Sequence, residues 1–182
     1  MEIQTTPIEG LLILVPKVFP DCRGYFFETY NTDRYNDAGL SVNFVQDNES
    51  KSTRGVIRGL HYQLNPFSQG KLVRVIDGII FDVAVDLRKN SLTFGQWFGI
   101  ELTDENKKQL FIPRGFAHGI SVLSEYAIFS YKCDQYYNPQ LERGILYNDE
   151  ELGIDWKIPA SEVIISEKDL KNKPFREAEI NF

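Results

Sequence analysis

The chain has 182 residues, 42% of them apolar and 25% charged, and a net charge of −6. That length can bury one proper core, and the composition excludes disorder as the main state. The negative balance excludes a general nucleic-acid or membrane-surface binder, because either needs a broad positive field; an anionic ligand must be met by a local cluster of cations.

Phe (13) and Tyr (9) against a single Met favour strands over helices. Cys22 and Cys133 form no C-x-x-C and are too few for a disulfide framework, so they read as reduced, structural thiols of a cytoplasmic protein. The first residues, MEIQTTPIEG, have no basic stretch followed by an apolar core, so no secretory signal is expected. No apolar run approaches the roughly 18 residues of a membrane span.

Taken in order, Leu11 to Val15 is a short apolar strand closed by Pro16. Pro20 to Gly24 is a turn, and Tyr25 to Tyr30 reads as a strand with Phe26, Glu28 and Tyr30 on one face. Asn31-Thr32, then Asp33 to Ala38 and Gly39, spell one short capped helix. Asn43 to Ser50 is a polar strand or strand end with Gln46 and Asn48 on the same side. From Lys71 to Leu87 the pattern alternates, with Phe81, Val83, Val85 and Leu87 on one face and Asp82, Ala84 and Asp86 on the other. The two aspartates read as a solvated face, with support of Lys71 as the alternative. Strands continue at Phe94 to Leu102, Gln109 to Ile112, His118 to Leu123 and Ala127 to Cys133. Turn signals such as Asp77-Gly78, Pro113-Arg114-Gly115 and Asn138-Pro139 separate them. Many short strands with regular turns indicate an all-β sandwich or barrel, one domain over residues 1–182. From about Leu152 the chain is mixed and is expected to wrap the core, with a turn or short helix at Ser166 to Leu170.

Gly55 to Val75, GVIRGLHYQLNPFSQGKLVRV, organises the whole. It embeds Arg58, His61 and Lys71 in two β-rich halves around the turn cluster Pro66 to Gly70. Burying such side chains costs free energy unless something anionic or hydrogen-bonding meets them, so they look placed for a ligand. Arg58 and His61 are three residues apart, and a regular strand would point them to opposite faces. A pocket shared by both needs a bulge or bend, and Gly59 is where it costs least. An isolated histidine is more often a satisfied core residue. Arg58 and Lys71 beside His61 favour a neutral imidazole instead, the form a base needs. Tyr131 shares a strand face with Phe129 and Cys133; a core aromatic and a functional phenol are equally compatible with that position. Ser166-Glu167-Lys168-Asp169 spells a capping box, with Asp169 bonded to backbone.

RGLHYQ (58–63), QGKLVRV (69–75), FDVAVDLR (81–88), FIPRGFAHG (111–119), YKCDQYY (131–137), ERGILYND (142–149) and SEKD (166–169) together resemble the dTDP-4-dehydrorhamnose 3,5-epimerase family. DCRGYFFE (21–28) matches its N-terminal region as well. The resemblance implies a cupin-type β jelly roll with a few short helices, acting as a homodimer with no cofactor. It implies epimerisation at C3 and C5 of dTDP-4-dehydro-6-deoxy-D-glucose to dTDP-4-dehydro-L-rhamnose, a step in dTDP-L-rhamnose supply for cell-surface polysaccharide. An N-terminal strand crossing to a partner would fit the family.

The chemistry agrees with these residues. C3 and C5 both flank the C4 ketone, so inversion needs a base on one face, an acid on the other and a group to hold the enolate oxygen. The resemblance implies His61 as base, oriented by Asp169, with Tyr131 as proton donor and Lys71 reaching the keto group. Arg23, Arg58 and Lys168 are the implied diphosphate contacts, and arginine suits bidentate phosphate binding. Phe26, Glu28, Gln46, Asn48 and Glu142 are implied sugar and base contacts, with Tyr137 stacking on the pyrimidine. Pro113-x-Gly115-x-x-His118 is half of a metal-cupin signature. The other half is missing, since Gln63 follows His61 where a second histidine would stand, and the chain has two histidines in all. A metal-free site is therefore expected, with His118 bonded to the ligand's phosphates or sugar. Rival readings are a single-carbon epimerase or ketoisomerase on a related nucleotide-4-ketosugar, a metal-dependent cupin oxygenase, and a non-catalytic sugar-binding jelly roll.

Overall fold

A computed structural model describes residues 1–182. The core is formed where two antiparallel sheets face each other. One has six strands in the order β1 (Glu2–Thr5), β2 (Leu12–Val15), β10 (Gln109–Ile112), β7 (Lys71–Asp77), β12 (Tyr126–Cys133) and β5 (Gln46–Thr53). The other has five, β13 (Glu142–Gly144), β6 (Ile57–Gln63), β11 (Phe116–Val122), β8 (Ile79–Asp86) and β9 (Trp97–Thr103). A separate hairpin joins β3 (Phe19–Asp21) to β4 (Gly24–Phe26). The all-β jelly roll expected from the sequence is what forms.

Strand alternation explains the layers. Val73, Val75 and Phe129 from one sheet meet Ile80, Ala84, Phe116 and Ile120 from the other in the central core. The opposite parity of the five-stranded sheet, including Ile57, Leu60, Tyr62, Val83 and Val85, faces outward. There it is covered by Ile145 and by Leu152, Trp156 and Phe175 of the C-terminal segment. Each such side chain, fully buried, contributes about 1.5–3 kcal/mol. On the outer face of the other sheet, α1 (Thr32–Asp37) sets Tyr35 against Leu14, Leu72 and Phe111. The helix is capped as its sequence spells: Asn31 accepts from the Arg34 amide, and Gly39 follows the end at φ +86°.

Two expectations are corrected. The strand from Tyr25 stops at Phe26, because the two-stranded hairpin offers no further ladder; Glu28 turns instead to Arg34 and Asn31 at the helix start. Asp82 and Asp86 are not on a solvated face, since both are 0% exposed. β8 is an interior strand flanked by β11 and β9 and covered on both sides, so its polar parity points into the protein. Asp86 is satisfied there by Arg88, Ser91 and Thr93.

Candidate active site

At one end of the sandwich the inward-facing rows change from apolar to polar. On β7 the row Val75, Val73 continues to Lys71; on β12 Phe129 is followed by Tyr131 and Cys133. β6 supplies Arg58 and His61 from the opposing sheet. They share its inner parity because the ladder breaks where the sequence placed a bulge. His61 pairs with His118 and Arg58 with Ile120, so three steps on β6 oppose two on β11. Gly59 lies inside the break at φ +131°, a conformation that favours glycine. With Leu60 turned outward into the layer under the C-terminal segment, His61 turns inward.

The resulting cavity, of about 240 Å³, is lined by Gln46, Asn48, His61, Tyr62, Gln63, Gln69, Lys71, Tyr131, Cys133, Tyr137 and Glu142. A larger hollow of about 390 Å³ on the outer face of the six-stranded sheet contains no histidine or tyrosine.

His61 Nε2 donates to Asp169 Oδ1 at 2.6 Å, and the carboxylate is almost fully buried. That bond puts the ring proton on Nε2 and leaves Nδ1, which has no protein partner, as the basic nitrogen. Burial works to raise the Asp169 carboxyl, but hydrogen bonds from His61 and Ser166 outweigh it and hold the group below its ordinary value. The capping reading of Ser166-x-x-Asp169 is half realised, since Ser166 Oγ accepts from the Asp169 amide while the Asp169 side chain goes to the imidazole. Tyr131 makes no side-chain hydrogen bond through its hydroxyl. Burial raises its pKa, so the phenol keeps its proton at neutral pH. Lys71 lies with Nζ 5.6 Å from the centre of the Tyr131 ring and forms no ion pair. Burial lowers its pKa, with Cys133, Asp82 and Glu142 opposing.

Around this centre, Glu142 Oε2 accepts from Tyr137 at 2.8 Å and from Lys168 at 2.5 Å. Gln46 donates to Asn48 at 3.0 Å and accepts from the Tyr137 amide. Arg58 reaches across the sandwich to Ser52 Oγ at 2.9 Å. His118 lies behind the cavity wall rather than on it, 8% exposed and bonded to Asp82. Arg23, Phe26 and Glu28 are away from the cavity on this chain. Arg23 is exposed and paired with its neighbour Asp21, Phe26 is exposed at the hairpin end, and Glu28 faces Arg34. Four cavity residues were not singled out by sequence, and of these Tyr62 only borders the cavity, its hydroxyl donating to the Glu179 carbonyl. Gln63 shares the parity of His61 and is tied to Phe67, Tyr136 and Asn138. Gln69 donates to the Gln135 carbonyl, and Cys133 is the parity partner of Tyr131. Alternation was the available signal for Gln63 and Cys133; nothing local marks Gln69. No group of three or more His, Cys, Asp or Glu side chains is arranged to hold a metal.

An imidazole oriented by a carboxylate, a free phenol and an unpaired lysine around one cavity fit a jelly-roll enzyme for proton transfer at carbon beside a carbonyl. The profile of the dTDP-4-dehydrorhamnose 3,5-epimerase family matches residues 5–177. A relative of that name from Methanothermobacter thermautotrophicus is 54% identical over 173 residues, 94% of this chain and 93% of its own length. The crystal structure of the enzyme from Elizabethkingia anophelis superposes with a TM-score of 0.93 at 52% identity, covering 97% of each chain. The Legionella pneumophila 3,5-epimerase, solved in complex with dTDP-4-keto-L-rhamnose, gives 0.93 at 49% identity over 97% of this chain and 93% of that one. The chain belongs to the dTDP-4-dehydrorhamnose 3,5-epimerase family, and its enzyme class is isomerase.

Proposed function

We propose that this chain epimerises C3 and C5 of dTDP-4-dehydro-6-deoxy-D-glucose, giving dTDP-4-dehydro-L-rhamnose, by general acid–base chemistry without a metal. The observation that carries the reading is the single cavity shared by His61, Lys71 and Tyr131. His61 Nδ1 takes the proton from carbon next to the C4 ketone, and the electron pair moves into an enolate. Asp169 holds the ring and stabilises the imidazolium formed. The Lys71 ammonium receives the enolate oxygen, and the Tyr131 hydroxyl returns a proton to the opposite face. Once His61 has released its proton to water and Tyr131 has regained one from water, the same sequence at the second carbon completes the reaction. A positioned acid or base is worth about 10²–10⁴-fold and one oxyanion donor about 10²–10³-fold, so the three groups act together.

The chain has only two histidines, and Gln63 stands after His61 where a metal cupin would place a second one, so the ligand set of a metal site is incomplete. Arg58, Lys168 and Glu142 supply nucleotide and sugar contacts at the cavity mouth, with Tyr137, Gln46 and Asn48 supporting them. Residues 1–182 act as one unit, since the C-terminal segment covers the sheet that carries His61 and supplies Asp169. Both cysteines are free thiols, consistent with a cytoplasmic enzyme. The working form is a homodimer in which Arg23, Phe26 and Glu28 serve the partner's cavity, which accounts for their distance from the cavity of their own chain.

Proton NMR of the chelator-dialysed protein with dTDP-4-dehydro-6-deoxy-D-glucose in deuterated water tests the proposal. Deuterium should enter at both C3 and C5 with the parent chain. With His61→Ala it should enter at neither, while nucleotide binding survives. Exchange at full rate in that variant removes His61 as the base, and activity lost on chelation removes the metal-free reading.

A further inference from the structure

One buried pair next to the cavity has no part in the mechanism above. Asp82 is wholly buried on β8, and both of its oxygens lie against a single nitrogen, His118 Nε2, at 3.0 and 3.1 Å. An ionised carboxylate has about four acceptor positions, so one shared N–H leaves most of that capacity unused where water does not reach. Asp86, on the same strand and equally buried, instead accepts from the Arg88 backbone and guanidinium, from Ser91 and from Thr93. A buried carboxylate so lightly bonded is costly unless a cation stands near it.

Two cations here form no ion pair, Arg58 and Lys71. Arg58, opposite Ile120, is exposed and turned across the sandwich to Ser52 Oγ, which leaves Lys71 as the partner for Asp82. The two groups approach from opposing sheets. Asp82 shares the inward parity of Ile80 and Ala84, and Lys71 that of Val73 and Val75. β11 links them to the base: Ile120 stands opposite Asp82, and His118 opposite both Ala84 and His61. The other charges around Lys71 are committed or absent. Glu142 is engaged by Lys168 and Tyr137, and Asp169 by His61. The Cys133 thiol, across the ladder on β12, is pushed up to about 11 by burial and stays neutral. Burial lowers the His118 pKa, so that ring bonds to Asp82 without cancelling its charge. Arg58 and the protonated Tyr131 bring no anion. Asp82 is left as the carboxylate whose charge is not spent elsewhere.

We infer that Asp82, fixed by His118, is the buried counter-charge that keeps Lys71 an ammonium ion in position for the enolate oxygen. It is a positioning residue that meets no substrate atom, and its role rests on the enolate-clamp reading of Lys71. Were Lys71 to lose its proton, the clamp would offer a neutral amine to a developing anion, and the largest electrostatic contribution to the step would go.

The test is Asp82→Asn, which keeps the shape and removes the charge. Loss of the anion makes the ammonium harder to keep, so the alkaline limb of the kcat–pH profile should move to lower pH. One pKa unit of movement would lower the variant's kcat relative to the parent progressively along the alkaline limb, reaching about tenfold at its far end. KM should change little, and Asp82→Glu should restore part of the alkaline activity. In the substrate-free protein, nitrogen NMR of Lys71 should show its titration displaced the same way. A kcat lowered equally at every pH, with the Lys71 titration unmoved, makes Asp82 purely structural and overturns the inference. If Asp82→Asn does not fold, the carboxyl carbon spectrum of the unaltered protein decides: an ionised Asp82 at neutral pH is expected, and a protonated one ends the proposal. The clamp itself is tested apart by Lys71→Met, whose full activity would remove the enolate reading while leaving the Lys71 titration result intact.

Discussion

At Tyr131 the ring is packed beside Phe129, with centroids 6.2 Å apart, while the hydroxyl has no protein partner. A buried phenol normally finds one, so this unused donor is the strongest residue-scale sign of a substrate in that space. Tyr131→Phe keeps the ring and removes the proton. Product formation should fall by about 10²-fold while deuterium exchange into substrate falls much less. Equal loss of both would make the tyrosine a packing residue. His61 and Lys71 were legible in the sequence because each interrupts an apolar strand pattern with a group that is costly to bury idle. The strand face of Tyr131 fitted a core aromatic equally well, and only the family resemblance singled it out. Asp169 was not, because a serine three residues ahead of it spells a cap with equal force, and the structure keeps the serine half of that cap while giving the carboxylate to His61. Asp82 and Asp86 were misplaced for a related reason. Alternation shows that two side chains share a face, and only tertiary structure shows whether that face meets water.

Asp86 gives the clearest pH dependence of a single element, the turn after β8. Burial alone would raise its carboxyl, but the bonds from Arg88, Ser91 and Thr93 bring it from the ordinary 3.8 to about 2. A depressed carboxylate contributes stability above its unfolded pKa and loses it as pH falls through the folded value, here between about 4 and 2. The shift corresponds to about 2 kcal/mol. Asp86→Asn should therefore unfold at lower urea concentration near neutrality, with the gap to the parent closing toward pH 2; a gap constant with pH would show that charge is not its cause. In β6 the decisive element is the bulge. A Cβ on Gly59 would stand 2.6 Å from the Gly119 Cα and 2.8 Å from the His118 carbonyl oxygen, at a positive φ. Gly59→Ala should cost about 3 kcal/mol in denaturant unfolding and displace His61, lowering exchange at both carbons. Parent-like stability would mean the strand can close without the glycine. This bulge was readable from the three-residue spacing of Arg58 and His61. The end of β4 at Phe26 was not, since a strand's length depends on the partner available to it.

For the molecule as a whole, the sequence gives no sign that the two halves of Gly55 to Val75 lie in different sheets. β6 and β7 belong to opposing sheets, and that is what brings His61 and Lys71 to one cavity from opposite sides. The hairpin is the part the single chain leaves unexplained. Phe19, Tyr25 and Phe26 are 49%, 57% and 70% exposed, and Arg23 is held by Asp21 two residues away. A two-fold dimer in which each hairpin reaches the other chain's cavity would bury the aromatics and bring Arg23 to the diphosphate. Mixing variants separates the two arrangements. Arg23→Ala and His61→Ala are each expected to be nearly inactive alone. When the two chains are dissociated and re-associated in equal amounts, about half of the dimers are mixed. If the hairpin serves the partner, one of the two sites in each mixed dimer has both residues intact, and about a quarter of the parent activity returns. If it serves its own chain, every site in the mixture lacks one residue or the other, and the re-associated sample stays as inactive as its components.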